Sequence, residues 1–258
     1  MSDFLLEMGV LSTARASVLD TVALDAKVRH MTPPLPLDVE GHGVIAEVKF
    51  STPSEGTLQS PEDPLHAAVA RAKAYVQAGA RAVSVLTEPS RFGGDLEHLA
   101  AVAAAVDVPV MRKDFLVDPA QVLEARVFGA SGVLLIVRML DDARLDQMVD
   151  LARELGMFVL LEAFDARDLA RTEAYRDVLV GLNCRDLTTL QVDPERFARH
   201  SDGFPAGVVS VAESGLRTPA DVQRVFGMGY RFVLVGSALM AASDPGSLVR
   251  AMVQEGCR

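Results

Sequence analysis

Four times along the chain, a segment with helical spacing ends at a glycine and an unbroken apolar run follows. The four are AGARAVSVLT (78–87), FGASGVLLIV (128–137), LGMFVLLEA (155–163) and MGYRFVLVGS (228–237). Each glycine suits the left-handed residue just past a helix C-terminus. Each run of Val, Leu and Ile lacks polar alternation, as does a parallel strand covered on both faces. Apolar runs at 44–49, 108–112, 177–182 and 208–212 bring the predicted strands to eight. Helices are predicted between and after them at 64–77, 96–105, 119–128, 142–155, 166–174, 194–199, 219–226 and 245–254. Asp118 and Pro119 read as the N-cap and first-turn residue of one of these. A βα unit recurs every ~25 residues, and eight such units predict an α/β fold of the (β/α)8 TIM barrel type. An open, doubly wound sheet is the competing arrangement. No GxGxxG follows any strand, which removes the commonest dinucleotide-binding form of that sheet.

Ahead of the repeat the pattern changes. Residues 3–27 mix polar and apolar positions, with Leu5, Leu6, Met8 and Leu11 near helical spacing. Met31-Thr32-Pro33-Pro34-Leu35-Pro36 cannot continue a helix. The predicted organisation is an N-terminal helical extension with a Pro-rich link at 1–42, then a catalytic barrel at 43–258. Half of the 258 residues are hydrophobic, enough for one large core. A net charge of −10 with no basic run argues against nucleic acid or an anionic membrane as partner. Cys184 and Cys257 make neither a disulfide framework nor a metal set, so a reducing, cytoplasmic setting is expected. Asp3 and Glu7, with no early Lys or Arg, do not read as a signal peptide, and no apolar run approaches the ~18 residues of a membrane span. The sequence does not specify an oligomeric state, and a monomer is compatible with it.

The stretch GVIAEVKFSTPSEG (43–56) carries the first chemistry. Glu47 and Lys49 lie two apart at the end of the first strand, so both point to one face. A polar Ser/Thr/Pro/Gly loop follows, and residues 51–62 are expected to form a mobile flap. A barrel places its site where strands end. Reading the other strand ends gives Phe92-Gly93-Gly94, Arg112-Lys113-Asp114-Phe115, Glu162, Asn183-Cys184-Arg185-Asp186, Glu213-Ser214-Gly215 and Gly236-Ser237. Taken singly, each charge could be a structural ion pair. Three carboxylates (Glu47, Glu162, Glu213) and three cations (Lys49, Lys113, Arg185) at one mouth call for function, because burying unpaired ions is costly. Ser214-Gly215 and Gly236-Ser237 both read as preceding helix starts, whose free N–H groups bind phosphate; Arg185 or Lys49 would add charge. Lys113 is expected to stand exposed at its strand end, with Asp114 on the opposite face holding the loop and Phe115 packed outside the site. No zinc set appears, since the five histidines lie away from strand ends. Cys184 reads as a space-filler beside the site before it reads as a nucleophile.

These strand ends resemble the indole-3-glycerol phosphate synthase family. The matching blocks are IAEVKFSTPSEG, Ser84–Thr87 with Phe92-Gly93, PVMRKDFLVDPAQVLEARVFGASGVLLIV (109–137), Gly156–Glu162, GLNCRDL (181–187), AESGLRTPADV (212–222) and LVGSALMAASDP (234–245). They span nearly all of residues 44–245. The resemblance implies a barrel with an extra helix ahead of it. It also implies ring closure, decarboxylation and dehydration of 1-(2-carboxyphenylamino)-1-deoxyribulose 5-phosphate, with no cofactor and no metal. By the same resemblance Lys113 is the general acid at the ketone oxygen and Glu162 the general base. Lys49 sits by the substrate carboxylate and takes part in proton transfer at dehydration. Glu47, Asn183 and Glu213 orient these groups. Arg185, Gly215, Gly236 and Ser237 hold phosphate, Phe92 packs on the aromatic ring, and Thr52 stands in the flap's substrate-binding element. The chain departs from the family pattern at Thr52, Phe164, Cys184, Asp186 and Ala212. The alternatives are the same chemistry on a substituted anthranilate in a specialised pathway, a phosphate-binding barrel isomerase, and a non-catalytic binding relative. A phosphoribosylanthranilate isomerase would carry Cys at the first strand end, where this chain has Glu47 and Lys49.

Overall fold

In the computed structural model, which describes residues 3–52, 56–57, 62–187 and 189–256, eight parallel strands close into a barrel. The barrel strands are β1 (Gly43–Val48), β4 (Ala82–Leu86), β5 (Val110–Lys113), β6 (Gly132–Ile136), β7 (Phe158–Ala163), β8 (Leu179–Asn183), β9 (Val209–Glu213) and β10 (Phe232–Val235). Between β1 and β4, β2 (Ser51–Thr52) and β3 (Gly56–Thr57) pair as a small antiparallel ribbon. Most of the expected flap lies outside the described residues, as does Cys257.

Helices α3 (Pro64–Gln77), α5 (Leu96–Ala105), α6 (Pro119–Val127), α7 (Asp142–Glu154), α8 (Ala166–Arg171), α9 (Glu195–His200), α10 (Pro219–Gly227) and α12 (Pro245–Glu255) fall where the pattern predicts them. Most begin at an Asp or Thr whose side chain accepts a hydrogen bond from a first-turn N–H. These caps are Asp63, Asp95, Asp118, Asp141, Asp165, Thr218 and Asp244. Two short helices were not legible in the hydrophobic pattern: α4 (Pro89–Phe92) and α11 (Ser237–Ala241). The extension is helical, as expected, and consists of α1 (Asp3–Ala16) and α2 (Thr21–Val28), parted at residues 17–20. Of the four spaced apolar residues in α1, Leu5 and Met8 are buried, while Leu6 and Leu11 face solvent.

The core divides by strand alternation. Val44, Ala46, Val48, Val83, Val85, Val133 and Leu135 point outward and pack under the helices. Ile45, Ala82, Met111, Leu134, Leu160, Val211 and Leu234 point inward. The register orders the inner residues into layers. The ladder runs from Glu47 through Ser84 to Met111, from Met111 through Gly132 to Phe158, from Glu162 through Gly181 to Val211, and from Glu213 through Leu234 to Ile45. At every second strand the chain has slid by two residues, the stagger that strand tilt imposes on such a barrel. Alternate strands therefore contribute residues to one level. Ile45, Met111, Leu160 and Val211 form an apolar layer, and two residues further along each strand come Glu47, Lys113, Glu162 and Glu213.

Candidate active site

The charged layer is the floor of a cavity at the C-terminal ends of the strands. One cavity is lined by Glu47, Lys49, Phe92, Lys113, Glu162, Asn183, Arg185, Glu213, Ser214, Gly215, Gly236 and Ser237. Every candidate site residue read from the sequence is among them except Thr52, which pairs with Gly56 in the ribbon and whose side chain lies outside the described part.

Two ion pairs organise the floor. Lys49 Nζ stands 2.6 Å from Glu47 Oε1, and Lys113 Nζ donates to Glu162 Oε2 at 3.1 Å. Glu47, Glu162 and Glu213 are all buried. Burial pulls the Lys113 ammonium pKa down, but the glutamates around it, Glu162 first, more than reverse this and hold it above the ordinary lysine value. Glu213 shows the opposite response for a carboxyl. Burial, then the charge of Glu162, push its pKa well up, and Lys113 only partly offsets them. Two glycines leave room for these carboxylates. A Cβ on Gly181 would come within 1.9 Å of Glu213 Oε1, and one on Gly236 within 2.0 Å of Glu47 Oε1.

Lys113 is not the exposed strand-end lysine expected: its side chain is only 19% accessible, because the Glu162 pair draws it into the barrel. Phe115 corrects a second expectation. It does not pack outside but lines the cavity, since it shares the inward face of Lys113 two residues on. Asp114 does hold the loop from the outward face. Its carboxylate accepts from Arg15 at 2.7 Å, from Thr87 at 2.7 Å, from Arg112 at 3.2 Å and from the Phe115 N–H at 2.8 Å. Burial would raise its pKa, but Arg112 and then Arg15 bring it below the usual range.

The wall beside Lys113 is aromatic. Phe92, at the end of α4, packs on Phe115 with ring centres 5.9 Å apart, and Phe4 of α1 meets Phe115 edge-on at 5.7 Å. Glu88 builds α4 by accepting hydrogen bonds from the N–H groups of Ser90, Arg91 and Phe92. Phe4 went unrecognised in the sequence, and no local signal could have found it, because its partner lies over a hundred residues away. Opposite this wall, Ser214 and Gly215 are both left-handed, with φ of 68° and 71°. A Cβ on Gly215 would strike Val192 at 2.6 Å, so glycine is required there. This pair does not precede a helix start directly, as expected; α10 begins later, at Pro219, with its own Thr218 cap. Gly236 does stand immediately before α11, and Ser237 is that helix's first residue. Arg185 lines the same side, with one guanidinium nitrogen donating to Leu190 O at 2.9 Å.

Cys184 is fully buried, donates its thiol to Ser214 O at 3.3 Å, and has its pKa pushed up to about 12, chiefly by burial. It is a thiol that packs, not a nucleophile. Among the described residues no group of three or more His, Cys, Asp or Glu is placed to hold a metal ion. No helix there is long and apolar enough to cross a membrane.

Fold and floor together have the form of an α/β-barrel active site, with paired lysines and glutamates at the C-terminal ends of the strands. The comparisons with known proteins are specific beyond that. The indole-3-glycerol phosphate synthase family model matches residues 10–252. The chain is 49% identical over 213 residues to the indole-3-glycerol phosphate synthase of Parafrankia sp. (strain EAN1pec), covering 83% of this chain and 78% of that one. It is 45% identical over 229 residues to the enzyme of the same name from Mycobacterium leprae (strain Br4923), covering 86% and 83%. Among solved structures, 3-hexulose-6-phosphate synthase from Salmonella typhimurium shares the fold, with a TM-score of 0.68 at 15% identity over 83% of this chain and 98% of that one. The chain belongs to the indole-3-glycerol phosphate synthase family.

Proposed function

We propose that this chain converts 1-(2-carboxyphenylamino)-1-deoxyribulose 5-phosphate to indole-3-glycerol phosphate, CO2 and water. The observation that carries the reading is the Lys113–Glu162 pair, 3.1 Å apart, at the floor of a cavity with an aromatic wall on one side and backbone-rich Ser/Gly loops on another. The anilino ring packs against Phe92 and Phe115. The phosphate lies against Ser214-Gly215 and Gly236-Ser237, where backbone N–H groups offer an anion nest, with Arg185 adding charge.

In this arrangement the ring carbon bearing the carboxylate attacks the ketone carbon. The ketone oxygen gains negative charge as the C–C bond forms, and the Lys113 ammonium donates its proton there. The C–CO2 bond then breaks and its electron pair restores the aromatic ring, so no external electron sink is required. Dehydration follows: the new hydroxyl leaves as water with a proton supplied from Lys49, while Glu162 accepts the proton lost from the ring being formed. Glu47 holds Lys49, and Asn183 and Glu213 orient the substrate and Glu162. Residues 43–258 form the catalytic barrel, and residues 1–42 brace it through α1. A phosphorylated sugar does not cross membranes unaided, which assigns the enzyme to the cytoplasm.

Four of the five departures from the family pattern, those other than Thr52, give no support to a substituted substrate. Cys184 and Ala212 pack on the outward face, and Phe164 lies under the Arg138 guanidinium, 4.5 Å from its ring centre. Neither they nor Asp186 line the cavity. The test is to incubate the purified protein with the anilino deoxyribulose phosphate and follow indole fluorescence. A folded protein that yields no indole-3-glycerol phosphate would overturn the assignment.

A further inference from the structure

The charged layer does not balance. Glu47 has Lys49, and Glu162 has Lys113. Glu213 has no such partner: both its oxygens are buried, and neither meets a donor among the described residues. Its surroundings make this costly. Its ladder neighbours are Asn183 on β8 and Leu234 on β10, and its carboxyl is sealed from solvent. An isolated carboxylate in such a place either finds a counter-charge or takes up a proton.

The register shows where that proton would point. Gly181 of β8 is the ladder partner of Glu162 and lies on the strand between β7 and β9. Because residue 181 has no side chain, the Glu213 carboxyl lies over it, with one oxygen in the space a Cβ would fill. Glu162 is the acid within hydrogen-bonding reach of Glu213. The charged groups around the pair are Glu47 and Lys49 from β1 and its end, Lys113 from β5, and Arg185 and Arg217 on the cavity wall.

We propose that Glu213 is protonated in the resting enzyme and donates a hydrogen bond to Glu162, making it a positioning residue that acts through the catalytic base. Glu162 is then gripped from two sides, by the Lys113 ammonium and by the Glu213 hydroxyl, and its orientation toward the cavity is fixed before substrate arrives. Gly181 belongs to the device, because a side chain there would displace the Glu213 carboxyl. The raised pKa of Glu213 agrees with this assignment.

The inference deepens the reading of Glu162 as general base and rests on it for one arm of the test only. The other arm is infrared spectroscopy on the free protein at pH 7, without substrate, so its outcome does not depend on the activity. Wild type should show the C=O stretch of a protonated carboxylic acid, and the band should move when glutamate is 13C-labelled. It should be missing from Glu213→Gln. In the activity arm, Glu213→Gln keeps a neutral N–H donor toward Glu162, whereas Glu213→Ala removes it. The expected result is kcat at least about tenfold higher for Gln than for Ala, out of a loss on the order of 10²-fold for Ala, as a base displaced by about 1 Å would give. A wild type without the acid band overturns the proposal, as does a band that persists in Glu213→Gln or a Gln variant no better than Ala. If Glu213→Gln fails to fold, the band should be missing from Glu213→Ala, and its persistence there overturns the proposal.

Discussion

Lys113→Ala removes an ammonium that stands 3.1 Å from Glu162, with Glu47 and Glu213 also buried nearby. Two consequences follow and can be measured separately. The first is chemical. General acid catalysis is worth roughly 10²–10⁴ in rate, or about 3–5 kcal/mol of barrier. Turnover should therefore fall at least ~10²-fold, while KM changes less, because Arg185, the Ser/Gly loops and the aromatic wall are untouched. The second is structural. Glu162 is 1% exposed and loses its counter-ion. Breaking a buried pair costs ~3–5 kcal/mol, and the 19% accessibility of Lys113 places the cost near the lower end. For a chain of this length about 3 kcal/mol lowers Tm by roughly 6–12 °C, so assays belong well below the wild-type transition. Single-turnover indole fluorescence should show slow ring closure, not slow product release. If Lys113→Ala keeps more than about a tenth of wild-type kcat while Lys49→Ala is inactive, the acid is Lys49 and the assignment fails.

Gly236→Ala puts a methyl 2.0 Å from Glu47 Oε1 and 3.0 Å from Lys49 Nζ. Those side-chain tips can move, so the variant should fold, yet kcat/KM should drop at least ~10-fold as the pair is displaced; unchanged kinetics would show that Glu47 need not sit where it does. Arg15→Ala removes the 2.7 Å bond to Asp114 and should cost about 1.5–3 kcal/mol by urea denaturation, with acid unfolding moved to higher pH. The sign follows from Asp114: its folded pKa is depressed, so its stabilisation is lost as pH falls through that value, and removing Arg15 brings the value up. Glu213 works the other way. Its folded pKa is raised, so its contribution is full below the unfolded value and is lost as pH rises toward the folded one. Wild-type stability relative to Glu213→Gln should therefore decline from about pH 5 upward, by at most ~1.4 kcal/mol per unit; parallel stability curves would contradict the raised value.

The barrel was legible because its strands are buried on both faces and its helices carry explicit caps, so apolar runs and Asp-Pro starts marked nearly every unit. The floor was legible for a related reason: charged residues directly after apolar runs are conspicuous, and Glu47, Lys113, Glu162 and Glu213 all stand there. What the sequence did not disclose is contact across the chain. Phe4, Glu7, Ser12 and Arg15 reach Phe115, Arg91, Gln121 and Asp114 respectively. Nothing local to residues 3–16 distinguishes these from ordinary helix-surface positions. Phe115 is a different case. The period-two rule that correctly put Asp114 outside also puts Phe115 inside, and the expectation failed because the alternation was not carried one residue past the strand.

That alternation explains how one strand end can serve both the proposed acid and the rigidity of its surroundings. Along Arg112-Lys113-Asp114-Phe115, the even-numbered residues point toward the helices and the odd-numbered ones into the cavity. On the outer face Arg112 donates to Thr87, to Gln121 O, to Glu124 and to Asp114, so a buried cation and a buried anion are each satisfied several times over. Such a network is stable only when complete, since one missing partner leaves a charge in apolar surroundings. It therefore tolerates few alternative backbone positions for residues 112 and 114, and residue 113 lies between them. The precision needed to hold an ammonium against Glu162 is thus supplied from the face that substrate never meets. Arg15 and Ser12 close this network from α1. An extension that precedes the barrel in sequence consequently bears on the proposed acid through the residue next to it, without entering the chemistry.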